Sequence, residues 1–239
     1  MDKKDPFAAT IPTATATRPL LGLTVLVIED SRFACEAMRL LCLRSGARIR
    51  RADCIRSARR HLQVYRPSVV VIDLGLPDGN GEDLIKELIG TDPRVDVILG
   101  TSGDIDGETV ALAAGADGFL AKPITSLAAF QHAVLCNLPA ERQPTGLREV
   151  PDETIHPDPM AFQDDMAHIA DVLSDTEDDS ALDYVAQFLG GVARSAKDTG
   201  LEQAAEALAK ARASGASAQT ETAKLVGLVQ QRLTQKMAI

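Results

Sequence analysis

The chain of 239 residues is 45% hydrophobic and carries a formal charge of −9, a balance that fits a globular protein with one medium and one smaller domain and excludes a disordered or collagen-like one. No apolar stretch approaches the ~20 residues of a membrane span, and the opening Met1-Asp2-Lys3-Lys4-Asp5-Pro6 leads into no apolar signal region, so a cytoplasmic protein without membrane contact is expected. The acidity is concentrated late: from residue 151 onward seven Lys/Arg face fifteen Asp/Glu, and the first 150 residues are close to neutral.

In chain order, residues 1–19 hold Pro6, Pro12, Pro19 and repeated Thr-Ala, and read as a flexible leader. From residue 23 to 138 strand and helix signals alternate. Strands are predicted near 23–28, 47–52, 68–73, 95–100 and 117–121, and helices near 32–45, 55–65, 81–91, 105–115 and 125–137. Gly46, Gly90 and Gly115 fall where helices should end. Five strand–helix units imply a doubly wound parallel α/β sheet with right-handed crossovers, a domain over residues 20–138. Cys35 and Cys42 lie two turns apart on an apolar helix face. With Cys54 and Cys136 they form no Cys-x-x-Cys pair, and the first two read as buried reduced thiols.

Residues 139–159 contain Pro139, Pro144, Pro151, Pro157 and Pro159, the mark of a semi-rigid linker. Residues 160–239 are helical in period, with four stripes: Phe162, Met166, Ile169, Leu173; Leu182, Val185, Leu189, Val192; Leu201, Ala204, Leu208, Ala211; and Thr222, Val226, Val229, Leu233. They predict a small all-α domain, a four-helix bundle or a pair of hairpins. Thr199-Gly200-Leu201-Glu202 fits a capping box and Gly215 a helix end. Asp175–Asp179 is a charged break, and Gly190-Gly191 argues against an unbroken second helix.

Four polar groups stand at the ends of four predicted strands: Glu29-Asp30 after Leu23–Ile28, Asp73 after Val69–Ile72, Thr101 after Val97–Gly100, and Lys122 after Gly118–Ala121. The carboxyl ends of parallel strands are where open α/β sheets bind ligands. Singly, an Asp or Thr in such a place is more often a helix cap, and Lys-Pro a surface turn. Their conjunction in chain order is what carries the functional reading. With Asp73-Leu74-Gly75-Leu76-Pro77-Asp78-Gly79, Thr101-Ser102-Gly103, Phe119 and Lys122-Pro123, the segment of roughly residues 20–138 resembles the receiver domain of two-component response regulators. The resemblance does not extend into the C-terminal part.

The resemblance implies strand order 2-1-3-4-5, which places Asp30 and Asp73 on neighbouring strands. It implies a phosphorylation switch and no dedicated enzyme, with Asp73 as acceptor from a sensor histidine kinase or histidine phosphotransfer protein. It also implies Mg²⁺ (or Mn²⁺) held by Glu29, Asp30, Asp73 and the Gly75 carbonyl, oxygen ligands of the kind such ions prefer. Lys122 and the Thr101 hydroxyl would contact the phosphoryl oxygens with the Leu74 and Ser102 backbone N–H groups, Phe119 would be the aromatic switch, and Pro123 would follow a cis bond. Ser102, Gly75 and Gly103 are small and leave the acceptor approachable.

Between residues 32 and 66 ten arginines face only Glu36 and Asp53, a surface suited to an acidic partner. The alternative is a solvated face. The partner would be the phosphodonor's helical domain or this chain's own acidic one, docked on the arginine-rich edge with an affinity that falls as salt rises. Other partners expected are an output protein, on the helical domain or on the face of the fourth helix, fifth strand and fifth helix, and a second copy after phosphorylation. A transcription regulator is the competing class, but helices this acidic lack the basic surface DNA needs. A phosphorelay intermediate is a third class, for which His156 and His168 are the histidines available in the C-terminal part.

Overall fold

The computed structural model describes residues 14–144, 152–175 and 180–235. Strands β1 (Thr24–Ile28), β2 (Arg48–Ala52), β3 (Val69–Asp73), β6 (Val97–Ser102) and β7 (Gly118–Ala121) form one parallel sheet in the order β2-β1-β3-β6-β7. The two-residue strands β4 (Gly75–Leu76) and β5 (Gly79–Asn80) are a separate ribbon, so the main sheet has the expected order 2-1-3-4-5. β1, β3 and β6 are the apolar runs and are buried almost throughout, as central strands covered on both faces must be. β2 is an edge strand, and its arginines face outward, which keeps the edge from pairing with another chain.

Helices α1 (Arg32–Ser45) and α5 (Leu127–Asn137) cover one face, packing Met38, Leu41, Phe130 and Val134 on Val25, Val27, Val69 and Val97. Helices α2 (Ile55–Val64), α3 (Gly81–Ile89) and α4 (Gly107–Ala113) cover the other, with Ile55, Leu84, Ile85 and Ala111 against Leu26, Ile28, Val70 and Ile98. Alternate strand residues feed alternate cores, the period of two expected of a strand. The start of α3 touches the backbone of Asp73: a Cβ on Gly81 would overlap the Asp73 carbonyl. Gly46 takes the left-handed conformation after α1 (φ +84°), whereas Gly90 ends α3 right-handed (φ −81°), with its N–H on Glu87 O and Leu88 O.

Residues 1–13 of the expected leader and 145–151 of the expected linker lie outside the described residues, and the described ends of both segments are held on the domain. Leu20, just past the leader, is fully buried and its N–H reaches Ser45 O at 2.9 Å. Glu153 and Ile155, in the expected linker, pair with the start of α5 through Leu127 N–Glu153 O at 3.0 Å and Ile155 N–Thr125 O at 2.7 Å, and Ile155 enters the α1/α5 core.

Four helices follow: α6 (Pro159–Asp175), α7 (Ser180–Ala196), α8 (Thr199–Ala213) and α9 (Gln219–Thr234). Residues 176–179 of the predicted charged break lie outside the described residues. Three of the apolar stripes form the core, through Met166, Ile169, Val185, Leu189, Val192, Leu201 and Leu208. On α9 Val229 of the predicted stripe is buried and Leu233 packs partly buried against the core, but Leu225 takes the buried place expected of Val226, which is exposed. The capping-box expectation is corrected too: Asp198, not Thr199, caps α8, because its Oδ1 accepts from Leu201 N at 3.1 Å. α7 runs unbroken through Gly190-Gly191, and a Cβ at Gly190 would touch Ala205 of α8.

Candidate functional site

Asp73 ends β3 with its carboxylate at the sheet's carboxyl edge, and β1 delivers Glu29 and Asp30 beside it. Oxygens of the three carboxylates all lie within 4.8 Å of one another. Lys122, just after β7, places Nζ 2.7 Å from both Asp73 Oδ2 and Glu29 Oε2, with all three side chains nearly buried. Burial alone would push the lysine down, but Asp73 and Glu29 outweigh it and hold the ammonium charged. Burial, and then the Asp73 charge, raises Glu29 and brings Asp30 up to about 6.

Three carboxylates against one lysine leave a buried excess of negative charge, and the donor set is oxygen only. Such a cluster fits a hard divalent cation such as Mg²⁺ or Mn²⁺, which would relieve the crowding that raises Glu29 and Asp30.

The Thr101 hydroxyl donates to Leu120 O at 2.7 Å and so is bonded across to β7. The Leu74 N–H, expected in the cradle, is already used: it donates to Thr101 O at 3.0 Å. The amide facing the carboxylate is that of Gly75, 3.3 Å from Asp73 Oδ1. Ser102 is buried and its Oγ accepts from Asp104 N at 3.0 Å. Phe119 is half-buried against Gly100 and Gly107, beside α4, and the Lys122–Pro123 peptide is cis.

Sequence reasoning missed the contribution of the helical domain, which packs on this cluster. Asp165 of α6 is 1% exposed and accepts from Ser31 Oγ (2.7 Å), Arg32 N (2.7 Å) and Phe33 N (3.1 Å), so it caps α1 from another domain. Phe162 meets Phe33 edge to face, with ring centroids 5.9 Å apart. Tyr184 of α7 donates to Asp30 Oδ2 at 2.8 Å, Gln187 lies against Gly75, and Arg194 Nη1 donates to Gly103 O. His168 packs edge-on against Phe188, with Nε2 3.5 Å from the Tyr184 hydroxyl.

The docking is thus at the mouth of the acidic cluster and on the start of α1, leaving the rest of the arginine-rich edge, β2 and α2, without ion pairs to these helices among the described residues. Of the ten arginines only Arg32 pairs with the helices among the described residues, to Asp164 at 3.1 Å, while Arg44 reaches Glu153 before them. Arg59 pairs inside the α/β domain with Glu87. Between the domains a cavity of about 480 Å³ remains, lined by Asp73, Lys122, Ser102, Gln187, Gly191 and Arg194 among others.

Residues 25–134 match the family described as the response regulator receiver domain. The chain is 29% identical over 99 residues to the KDP operon transcriptional regulatory protein KdpE of Escherichia coli K12, covering 41% of this chain and 44% of that protein. It is 33% identical over 104 residues to the probable transcriptional regulatory protein TcrX of Mycobacterium tuberculosis, covering 43% of this chain and 44% of that one. The chain therefore spans less than half the length of these curated relatives. Among solved structures, a putative response regulator from Chloroflexus aurantiacus is 26% identical, with a TM-score of 0.44, over 48% of this chain and 98% of that one.

Proposed function

We propose that this chain, whose residues 25–134 are a response regulator receiver domain, is a phosphorylation-controlled switch whose output is the helical domain seated on its acceptor face. Asp73 accepts a phosphoryl group from a phosphohistidine donor, a sensor kinase or a phosphotransfer protein. The observation that carries this reading is the lysine-bridged cluster: Lys122 held between Asp73 and Glu29, with Asp30 alongside.

Asp30, Asp73 and the Gly75 carbonyl would hold Mg²⁺ or Mn²⁺, with Glu29 acting directly or through water. The bound cation supplies neutralisation of the incoming phosphoryl charge. Lys122 follows one phosphoryl oxygen as a point charge, and the Gly75 N–H, aimed at the carboxylate, donates to another. Thr101 has to leave Leu120 O to reach the phosphoryl group, which opens space behind it for Phe119 to move inward. That movement would reshape the face around α4, where Val110 and Leu112 are exposed apolar residues.

The helical domain covers the approach to Asp73, so a protein donor has to displace it, and displacement frees the α6–α7 face for another protein. The acidity of these helices favours a protein partner over DNA. Labelling by acetyl phosphate with Mg²⁺ tests the assignment. Asp73→Asn should abolish it, and Asp30→Asn should suppress it by weakening the metal site. Full labelling of Asp73→Asn would overturn it.

A further inference from the structure

Gly75 and Gly103 flank Asp73 without side chains of their own, and α7 fills both places. A methyl group on residue 75 would overlap the Gln187 carboxamide, and one on residue 103 would overlap the Arg194 guanidinium. Tyr184, Gln187, Gly191 and Arg194 recur at intervals of three and four residues and so share one stripe of α7. That stripe lies along the acceptor cleft from Asp30 to Gly103. At Gly191, in its middle, a Cβ would meet nothing within 4 Å, and the open volume there belongs to the cavity of about 480 Å³ over Asp73. With a water occupying about 30 Å³ of liquid, this is room for a phosphoryl group, a hydrated cation and several waters.

The stripe's polar groups differ in one respect. Tyr184 and Arg194 are spent on hydrogen bonds that seat the helix, and Arg194 is also held by Glu202 at 3.1 Å. The Gln187 carboxamide lines the cavity, is open to solvent, and makes no hydrogen bond among the described residues. A carboxamide can accept a hydrogen bond from a water and donate one to a phosphoryl oxygen at the same time. In phosphoryl-transfer sites a glutamine in that role orients the attacking water.

We propose that Gln187 is a catalytic residue for hydrolysis of the Asp73 phosphate, so that the docked helical domain is the chain's own phosphatase. The proposal rests on Asp73 being the acceptor. The water oxygen forms the new bond to phosphorus, and the bond from phosphorus to the Asp73 carboxylate oxygen breaks with its electron pair returning to the carboxylate. The water proton passes to the departing phosphate, giving free Asp73 and dihydrogen phosphate. Gln187 gains and loses no proton. Arg194 and Tyr184 are positioning residues that fix the helix over the cleft.

The test is loss of label from the full chain, phosphorylated with radiolabelled acetyl phosphate and Mg²⁺ and then freed of donor. Gln187→Ala and Gln187→Leu should each retain the phosphoryl group about tenfold longer than the native chain or more, with melting temperatures unchanged because the side chain is exposed. Equal lifetimes in the native chain and Gln187→Ala would overturn the proposal. So would a Gln187→Leu variant as fast as the native chain, since leucine keeps the packing on Gly75 and lacks only the amide. Label on Asp73→Asn would overturn the acceptor assignment and this proposal together. Its absence there, with equal lifetimes elsewhere, would overturn this proposal alone.

Discussion

Tyr184 reaches from α7 into the receiver and donates its hydroxyl to Asp30 Oδ2 at 2.8 Å. The phenol is raised by burial and by the Asp30 charge, so it stays a donor across the physiological range. With a cation bound as proposed, one carboxylate would serve two partners, the cation on its free lone pairs and a helix on this oxygen, and docking and metal binding would meet at a single residue.

Tyr184→Phe keeps the ring against Phe188 and removes only the hydroxyl. A hydrogen bond to a charged group contributes about 1.5–3 kcal/mol, so the docked state should weaken by roughly tenfold or more. Amide hydrogen exchange should quicken at the start of α1 and along α7 while the centre of the sheet stays protected. Unchanged exchange would show that the bond does not hold the domain.

Two neighbouring aspartates should differ sharply on truncation. Asp164 makes an exposed ion pair with Arg32, and such pairs are worth about 0–1 kcal/mol. Asp165 is buried and its loss leaves the Arg32 and Phe33 N–H groups and the Ser31 hydroxyl short of an acceptor, at a cost of about 1–3 kcal/mol. Chemical denaturation of Asp164→Ala and Asp165→Ala should separate the two. Equal losses would contradict the capping role.

The receiver could be read from sequence because each of its signals is local. Uniform apolar runs mark the central strands, and each candidate site side chain sits at the end of its strand or within a residue or two after it. The four helices were legible for the same reason, since their stripes are periodic. What periodicity cannot give is the partner of a polar residue. Asp165 stands beside Asp164 in an acidic helix and looks solvated until α1 is placed above it. The charge imbalance pointed to a real interdomain contact, but of the surface it indicated only the start of α1 is used, because net charge reports attraction and not shape. Gly190-Gly191 reads as a helix defect, yet α7 runs through it unbroken and Gly191 lines the open cavity.

The pH dependence follows from three raised carboxyls. Burial, and then Asp73, brings Asp30 up to about 6, and burial raises Glu29 and Asp165 as well. Each holds a proton in the folded state where the unfolded chain has released it, so between about pH 4 and 6 the folded state binds more protons. Metal-free protein should therefore melt higher at pH 5.5 than at pH 7.5. Asp30→Asn should flatten the trend, and saturating Mg²⁺ should reverse it by displacing the protons. A melting temperature that falls on acidification without metal would contradict this account.

The docked helices should also discriminate between donors. If a histidine-phosphorylated donor docks on the face that α6 and α7 cover, as proposed, it must displace them, whereas acetyl phosphate can enter the cavity lined by the solvent-exposed Gln187. The rate with a protein donor is then scaled by the undocked fraction, so loosening the dock raises it in proportion. Combining Tyr184→Phe with Asp165→Ala should speed phosphotransfer from the protein donor by about tenfold or more and leave acetyl phosphate labelling within about twofold. Salt should matter little, because among the described residues the one ion pair from the arginine-rich edge to these helices is exposed Arg32–Asp164, and the other contacts are short-range hydrogen bonds and ring packing. Initial rates for both donors, on the native chain and the double variant at low and high salt, decide the matter. A double variant that speeds both donors equally would mean that the substitutions act on the acceptor itself and not through the docked domain.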